Sequence, residues 1–181
     1  MLKIDGKKAA ADLRADLKKK VAELKSTYNA VPGLTVILVG EDAPSQIYVK
    51  NKEKSANEVG IKSEVVRYPE KVEEKVVLDK IKELNDNNEV SGILVQLPLP
   101  KHIDKRKVIE TINPGKDVDG FHPMNVGNLS SGYESSIPEI SLLSLSSLIL
   151  SKTTFSSTFS GYLITSELIP TSFADFSLFF T

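Results

Sequence analysis

The sequence predicts an α/β fold: a short parallel sheet flanked by helices, followed by an atypical tail. Three observations carry that prediction. Leu34 to Val39, LTVILV, is a continuous apolar run rich in β-branched residues. Such a run marks a strand buried on both faces of a parallel sheet. Two more strand-like runs, KSEVVRY at 62–68 and SGILVQL at 91–97, alternate with segments of helical period. That order gives right-handed βαβ units. Finally, composition breaks near the end of the chain. Of the 23 Lys and Arg residues only Lys152 lies beyond Gly127, acidic residues thin out, and Ser becomes frequent.

The elements follow in order. Residues 5–27 read as a helix, with Leu13, Leu17, Val21 and Leu24 as its apolar stripe and Lys18, Lys19 and Lys20 as its solvated face. Asn29 to Gly33 is a turn before the first strand, and Gly40 ends that strand. The second helix opens on Asp42, Pro44 and Ser45, which suit a cap or first turn, and runs to Gly60, a helix stop. A strand over 62–68 centres on Val65 and Val66. A helix from about Val72 to Asn85 carries Val77, Leu78, Ile81 and Leu84. Pro98 and Pro100 stop the third strand, since neither can donate to a ladder. Asp104 caps a short helix through Thr111, and Asn113-Pro114-Gly115 breaks it.

The totals exclude several classes. At 181 residues the chain holds one domain, or one and a piece of another. A net charge of −1 offers no basic excess for nucleic acid. Without cysteine there is no disulfide, thiolate metal site or cysteine nucleophile, which fits a reducing, cytoplasmic setting. The N-terminus lacks the apolar core of a secretory signal. The longest apolar patch, 142–150, is far short of the roughly 20 residues of a membrane helix.

Tyr48 and Lys52 stand one helical turn apart and share a face with Ser55 and Val59, while Lys54 is set to pair with Glu58 in solvent. A lysine beside a tyrosine on a mostly apolar face is a candidate acid/base group, because partial burial favours its neutral form. An amphipathic helix with a snorkelling lysine accounts for the same spacing. Parallel sheets bind ligands beyond the carboxyl ends of their strands. There the Tyr48 helix begins, Gln96 ends its strand, and the loop PGKDVDGF runs from 114 to 121.

Other motifs fail on their own terms. The Tyr/Lys pair of short-chain dehydrogenases needs an upstream Gly-rich turn, and here Gly6, Gly33 and Gly40 are scattered singly. Gly115-Lys116 is followed by Asp117 and is not a P-loop. With Gly120 at the sixth position of a calcium loop, Gly115 and Val126 would fill ligand positions they cannot serve. His102 and His122 have no helix-spaced partners and read as loop residues, so no metal is expected.

Three segments in order carry a family pattern: Ser45-Gln46-Ile47-Tyr48-Val49 with Lys52, Gly92-Ile93-Leu94-Val95-Gln96-Leu97-Pro98-Leu99-Pro100, and Pro114-Gly115-Lys116-Asp117-Val118-Asp119-Gly120-Phe121-His122-Pro123 with Asn125-Val126-Gly127. Over residues 1–138 the chain resembles the N-terminal catalytic domain of bifunctional methylenetetrahydrofolate dehydrogenase/cyclohydrolase. The resemblance implies oxidation of 5,10-methylenetetrahydrofolate by NADP, then hydrolysis of the methenyl cation to 10-formyltetrahydrofolate. It implies Lys52 as the acid/base, Tyr48 stacking on the folate, Gln96 holding Lys52, and Asp119 binding the pterin. It also implies Pro98 as a substrate contact and Ser45 as a contact behind the substrate or on the cofactor side.

The family continues past this point into a dinucleotide-binding domain. After Pro138 the chain instead reads EISLLSLSSLILSKTTF. The expectation is a truncation or reading-frame change near 139, with 139–181 forming no continuation of the domain and no identifiable NADP site in the chain. The family homodimer, whose contacts lie mostly in the second domain, is then not expected. An inactive folate-binding fragment is the alternative to the full activity.

Overall fold

The computed structural model describes residues 6–131. The expectations for 139–181 therefore lie outside the described residues. Five helices and three strands alternate: α1 (Gly6–Tyr28), β1 (Gly33–Val39), α2 (Ala43–Val59), β2 (Lys62–Tyr68), α3 (Glu74–Asp86), β3 (Gly92–Val95), α4 (Lys105–Thr111) and α5 (Pro123–Ser130), with a 3-10 turn at Pro114–Lys116 before α5. The strands form a parallel sheet in the order β2-β1-β3. Gly33 sits opposite Lys62, and Leu34 opposite Gly92.

The central strand explains the layering. Every residue of β1 is buried. Because side chains alternate, Leu34, Val36 and Leu38 join a core with Leu17 and Val21 of α1 and Val49, Ala56 and Val59 of α2. Ile37 and Val39 join a second core with Val77, Ile81 and Leu84 of α3, Ile93 and Val95 of β3, and Val108 of α4. Helices thus cover both faces. On the edge, β2 alternates exposed and partly buried residues, with Val65 toward one core and Val66 toward the other. Its exposed Lys62, Glu64 and Arg67 discourage edge-to-edge pairing.

Local chemistry sets the ends of α2. The Asp42 carboxylate accepts from the Ser45 amide at 3.0 Å and from its hydroxyl at 2.6 Å. These two bonds, the hydroxyl first, hold the Asp42 carboxyl below its usual range. At the far end Gly60 has φ +88°, a left-handed conformation that costs a glycine little, and Ile61 N returns to Ala56 O at 3.0 Å.

Several expectations need correction. The α1 stripe is Ala10, Leu17 and Val21 with Leu13 beside it; Leu24 is 37% exposed and belongs to neither core. The third strand stops at Val95 rather than Leu97. Gln96 N still donates to Ile37 O at 2.9 Å, but the chain then turns through the cis Leu97–Pro98 bond. The helix expected from Val72 begins at Glu74. Helix α5 was not expected, because it is only eight residues long, starts on Pro123 and contains Gly127.

Candidate functional site

The site lies at the carboxyl ends of β1 and β3, where α2 leaves the sheet and the loop before α5 returns to it. The buried stripe of α2 runs through Ser45, Val49, Ala56 and Val59. Lys52, three residues after Val49, falls on that stripe and is partly buried. Its Nζ donates to Gln96 Oε1 at 3.4 Å. Gln96 Nε2 donates to the Leu97 carbonyl at 2.7 Å, which leaves Oε1 as the amide atom available to a donor-only ammonium. Lys54 lies apart, 76% exposed at its side chain and 3.9 Å from Glu58.

Tyr48 sits one turn before Lys52 at the flank of the stripe, 36% exposed. Beside it Ile47 is 61% exposed. A phenol ring open to solvent on a helix that carries a half-buried amine offers a flat face to a planar ligand. Ser45 is 3% exposed and gives its hydroxyl to Asp42, so it holds the start of α2. Pro98 is exposed just beyond Gln96.

The loop 114–122 is held from below. Lys116 Nζ donates to the carbonyls of Leu84, Asn85 and Asn87 at 2.9, 2.7 and 2.8 Å, closing the end of α3. Asp117 bridges to Ile93 of β3, and Val118, 2% exposed, enters the α1/α2 core. Asp117 accepts from Gly120 N, His122 N and Asn125 Nδ2. Gly120 takes φ +69°, which turns the chain directly after Asp119.

Asp119 makes no hydrogen bond to another described residue. Burial raises its carboxyl above the usual range; the positive charge of Lys52 opposes that rise, and the negative charge of Asp117 adds to it. Lys52 and Asp119 therefore feel one another's charge across the site. Asp119, Leu97 and Phe121 border an apolar hollow floored by Ile93, Val95 and Val108. An amine with an amide partner and an exposed aromatic ring one turn away thus stand on α2 near the end of β3, with a carboxylate of unused acceptors within reach of the amine's charge. Such a group suits a flat heterocycle with N–H donors and proton transfer beside it.

His102 and His122 lie away from that chemistry. His102 Nε2 is 2.8 Å from Val72 O, and His122 caps α5, its Nδ1 accepting from Met124 N at 3.2 Å. Among the described residues no group of three or more His, Asp or Glu could hold a metal ion. No described helix is long and apolar enough to cross a membrane. The roles of Lys116, Asp117 and Asn125 went unread in the sequence, because each bonds to partners that the fold alone brings near.

Known proteins share this sequence pattern and this fold. Residues 4–119 match the family described as tetrahydrofolate dehydrogenase/cyclohydrolase, catalytic domain. The bifunctional protein FolD of Pelagibacter ubique is 76% identical over 138 residues, covering 76% of this chain and 49% of that protein. A crystal structure of the bifunctional FolD methylenetetrahydrofolate dehydrogenase/cyclohydrolase of Campylobacter jejuni superposes with a TM-score of 0.70 at 49% identity, over 72% of this chain and 46% of that one. A Trypanosoma brucei methylenetetrahydrofolate dehydrogenase-cyclohydrolase, solved with NADP and an inhibitor, superposes at 0.69 and 37% identity, over 71% and 44%. The chain spans about half the length of the curated relatives it matches.

Proposed function

The chain belongs to the tetrahydrofolate dehydrogenase/cyclohydrolase family, and from that premise we propose that residues 6–131 form the folate-binding side of its active site and carry the hydrolysis of 5,10-methenyltetrahydrofolate to 10-formyltetrahydrofolate. One observation carries the reading: the Lys52–Gln96 hydrogen bond, at the strand ends, within the electrostatic reach of Asp119.

In this reading Tyr48 lies against the pterin and Asp119 accepts from its N–H groups. Water adds to the methenyl carbon, and Lys52 takes the proton released as the C–O bond forms. The carbinol hydroxyl then gives up its proton as the C=O bond forms and the C–N5 bond breaks, N5 takes up a proton, and the formyl group is left on N10. Gln96 keeps the Lys52 amine aimed at that carbon. Pro98 lines the approach, and Ser45 supports the reading from behind, by fixing the start of the helix that carries Tyr48 and Lys52.

The relatives' names also speak of a dehydrogenase, and one was solved with NADP. The described residues do not fit a dinucleotide. A pyrophosphate seeks a helix N-terminus with open amides. Here α2 and α4 start on Asp42 and Asp104, whose carboxylates already accept the first amides, and α3 starts on Glu73 and Glu74. No hydride step is therefore assigned to these residues. That observation counts against the oxidation alone, and a second reading, a folate-binding chain without turnover, extends the loss to the hydrolysis. The cytoplasm remains the proposed setting, and a folate the proposed partner.

The test is the decay of 5,10-methenyltetrahydrofolate absorbance with the full chain and with Lys52→Ala. The variant should lose at least about 10²-fold, the usual scale for a positioned acid/base group. Near-normal hydrolysis by Lys52→Ala would sink the assignment. A full chain that binds folate without hydrolysing it would leave the second reading.

A further inference from the structure

Asp117 stands two residues before Asp119 and is 2% exposed. Its Oδ1 accepts from Gly120 N at 3.1 Å, and its Oδ2 from His122 N at 2.8 Å and Asn125 Nδ2 at 3.0 Å. Asn125, also 2% exposed, gives the same Nδ2 to Pro114 O at 2.9 Å. The carboxylate thus ties the start of the loop, its turn after Asp119 and the first turn of α5 to one point.

Burying a carboxylate is costly unless hydrogen bonds replace its water. All three of these donors are neutral amides, so the charge is spent on stiffening backbone. Bonds to an ionised acceptor are roughly twice as strong as neutral ones. What they stiffen is the segment between Val118, anchored in the core, and Gly120, where the chain turns. Asp119 is the residue between those anchors, and its own carboxylate has no hydrogen-bond partner among the described residues to fix it.

We propose that Asp117 is a positioning residue for the folate site, holding the backbone of Asp119 so that its carboxylate faces Lys52 and the bound pterin. The proposal rests on the reading that Asp119 binds folate. Asp117 touches no substrate; it acts through Gly120, His122 and Asn125.

The experiment titrates the full chain with 5-formyltetrahydrofolate by calorimetry over a range of pH, for wild type, Asp117→Asn and Asp119→Asn. Asp117→Asn keeps the volume and two acceptor positions at best, and loses the charge. It should keep its far-ultraviolet dichroism and bind at least about 10-fold more weakly near neutral pH, the loss expected for one hydrogen bond to a charged group. The charged groups acting on Asp119 are Lys52 of α2 and Asp117 of its own loop. Removing Asp117's charge lets Asp119 ionise at lower pH, so the pH at which binding is half lost should move toward acid. Because Asp117 acts through Asp119, Asp117→Asn should add little further loss on the Asp119→Asn background, and fully additive losses in the double variant would overturn the proposal. Wild-type affinity in Asp119→Asn would instead remove the folate reading itself, and the proposal with it. Weak binding in Asp119→Asn beside normal binding in Asp117→Asn would remove the positioning role alone. Should Asp117→Asn unfold, Asn125→Ala serves in its place, since it deletes one donor and keeps the carboxylate. A folded Asn125→Ala is expected to bind about 3-fold more weakly, and one with wild-type affinity overturns the proposal.

Discussion

Asp119 sets burial against charge. Burial raises its carboxyl above the usual range, with Asp117 adding to the rise and Lys52 opposing it. A carboxyl raised in the folded state favours folding when protonated. Its contribution is full below the unfolded value of about 3.9 and is lost as pH rises through the folded value. At neutral pH an ionised Asp119 therefore works against the fold. Asp119→Asn should melt at a higher temperature than wild type near neutral pH, with the gap closing in acid, while folate binding falls. Thermal melts at both pH values check this; a variant less stable at neutral pH would contradict it. Lys52 shows a different balance. Its stem lies on the buried stripe of α2, and Gln96 Oε1 receives its amine at the edge.

Among the elements, α3 depends on a residue far along the chain. Its C-terminal carbonyls have no intrahelical partners, and Lys116 Nζ meets the carbonyls of Leu84, Asn85 and Asn87 at the negative end of the helix dipole. The same lysine anchors the 3-10 turn that leads into the Asp117–Asp119 loop. Lys116→Met keeps the stem and removes the bonds; Leu84 O and Asn87 O retain the Asn87 and Val90 amides, while Asn85 O loses its amine donor. The substitution is expected to cost about 2 kcal/mol in urea unfolding. A loss below about 0.5 kcal/mol, the range of ordinary surface changes, would show that water replaces the amine.

At the scale of the whole molecule, the described residues build two cores: one between α1, α2 and the sheet, the other between α3, α4 and the sheet. We propose 1–138 as the catalytic domain and 139–181 as a segment outside it. Deleting 139–181 should raise solubility, because Ser-interrupted Leu and Phe runs with few charges favour association. The far-ultraviolet dichroism of the remainder should persist, and its collapse would make the segment part of the core. With carboxylates at the starts of α2, α3 and α4, calorimetry of the full chain should give no saturable NADP binding below about 1 mM, roughly 4 kcal/mol.

The sequence by itself determined the order of strands and helices as far as α4, the burial of β1 on both faces and the candidates Tyr48, Lys52, Gln96 and Asp119. Those features are local or periodic: LTVILV is buried on both faces wherever a parallel sheet puts it, and Asp42, Gly60 and Asp104 mark helix ends through bonds to near neighbours. The three spaced segments added the family, since their order along the chain is itself a sequence property. Only the tertiary structure decided which polar groups face each other. Lys52 meets Gln96 across 44 residues, a pairing that the family resemblance implied and no spacing could, and Lys116 meets the α3 carbonyls across 29 to 32, a pairing that nothing in the sequence implied. Leu24 keeps the period of its stripe and is still 37% exposed, because period alone does not say how far along the helix its packing partners extend. Asp117 and Asp119 look alike in PGKDVDGF, yet one is tied to three amides and the other is left without a hydrogen bond among the described residues. A hydrogen bond depends on distance and direction in space, and separation along the chain carries neither.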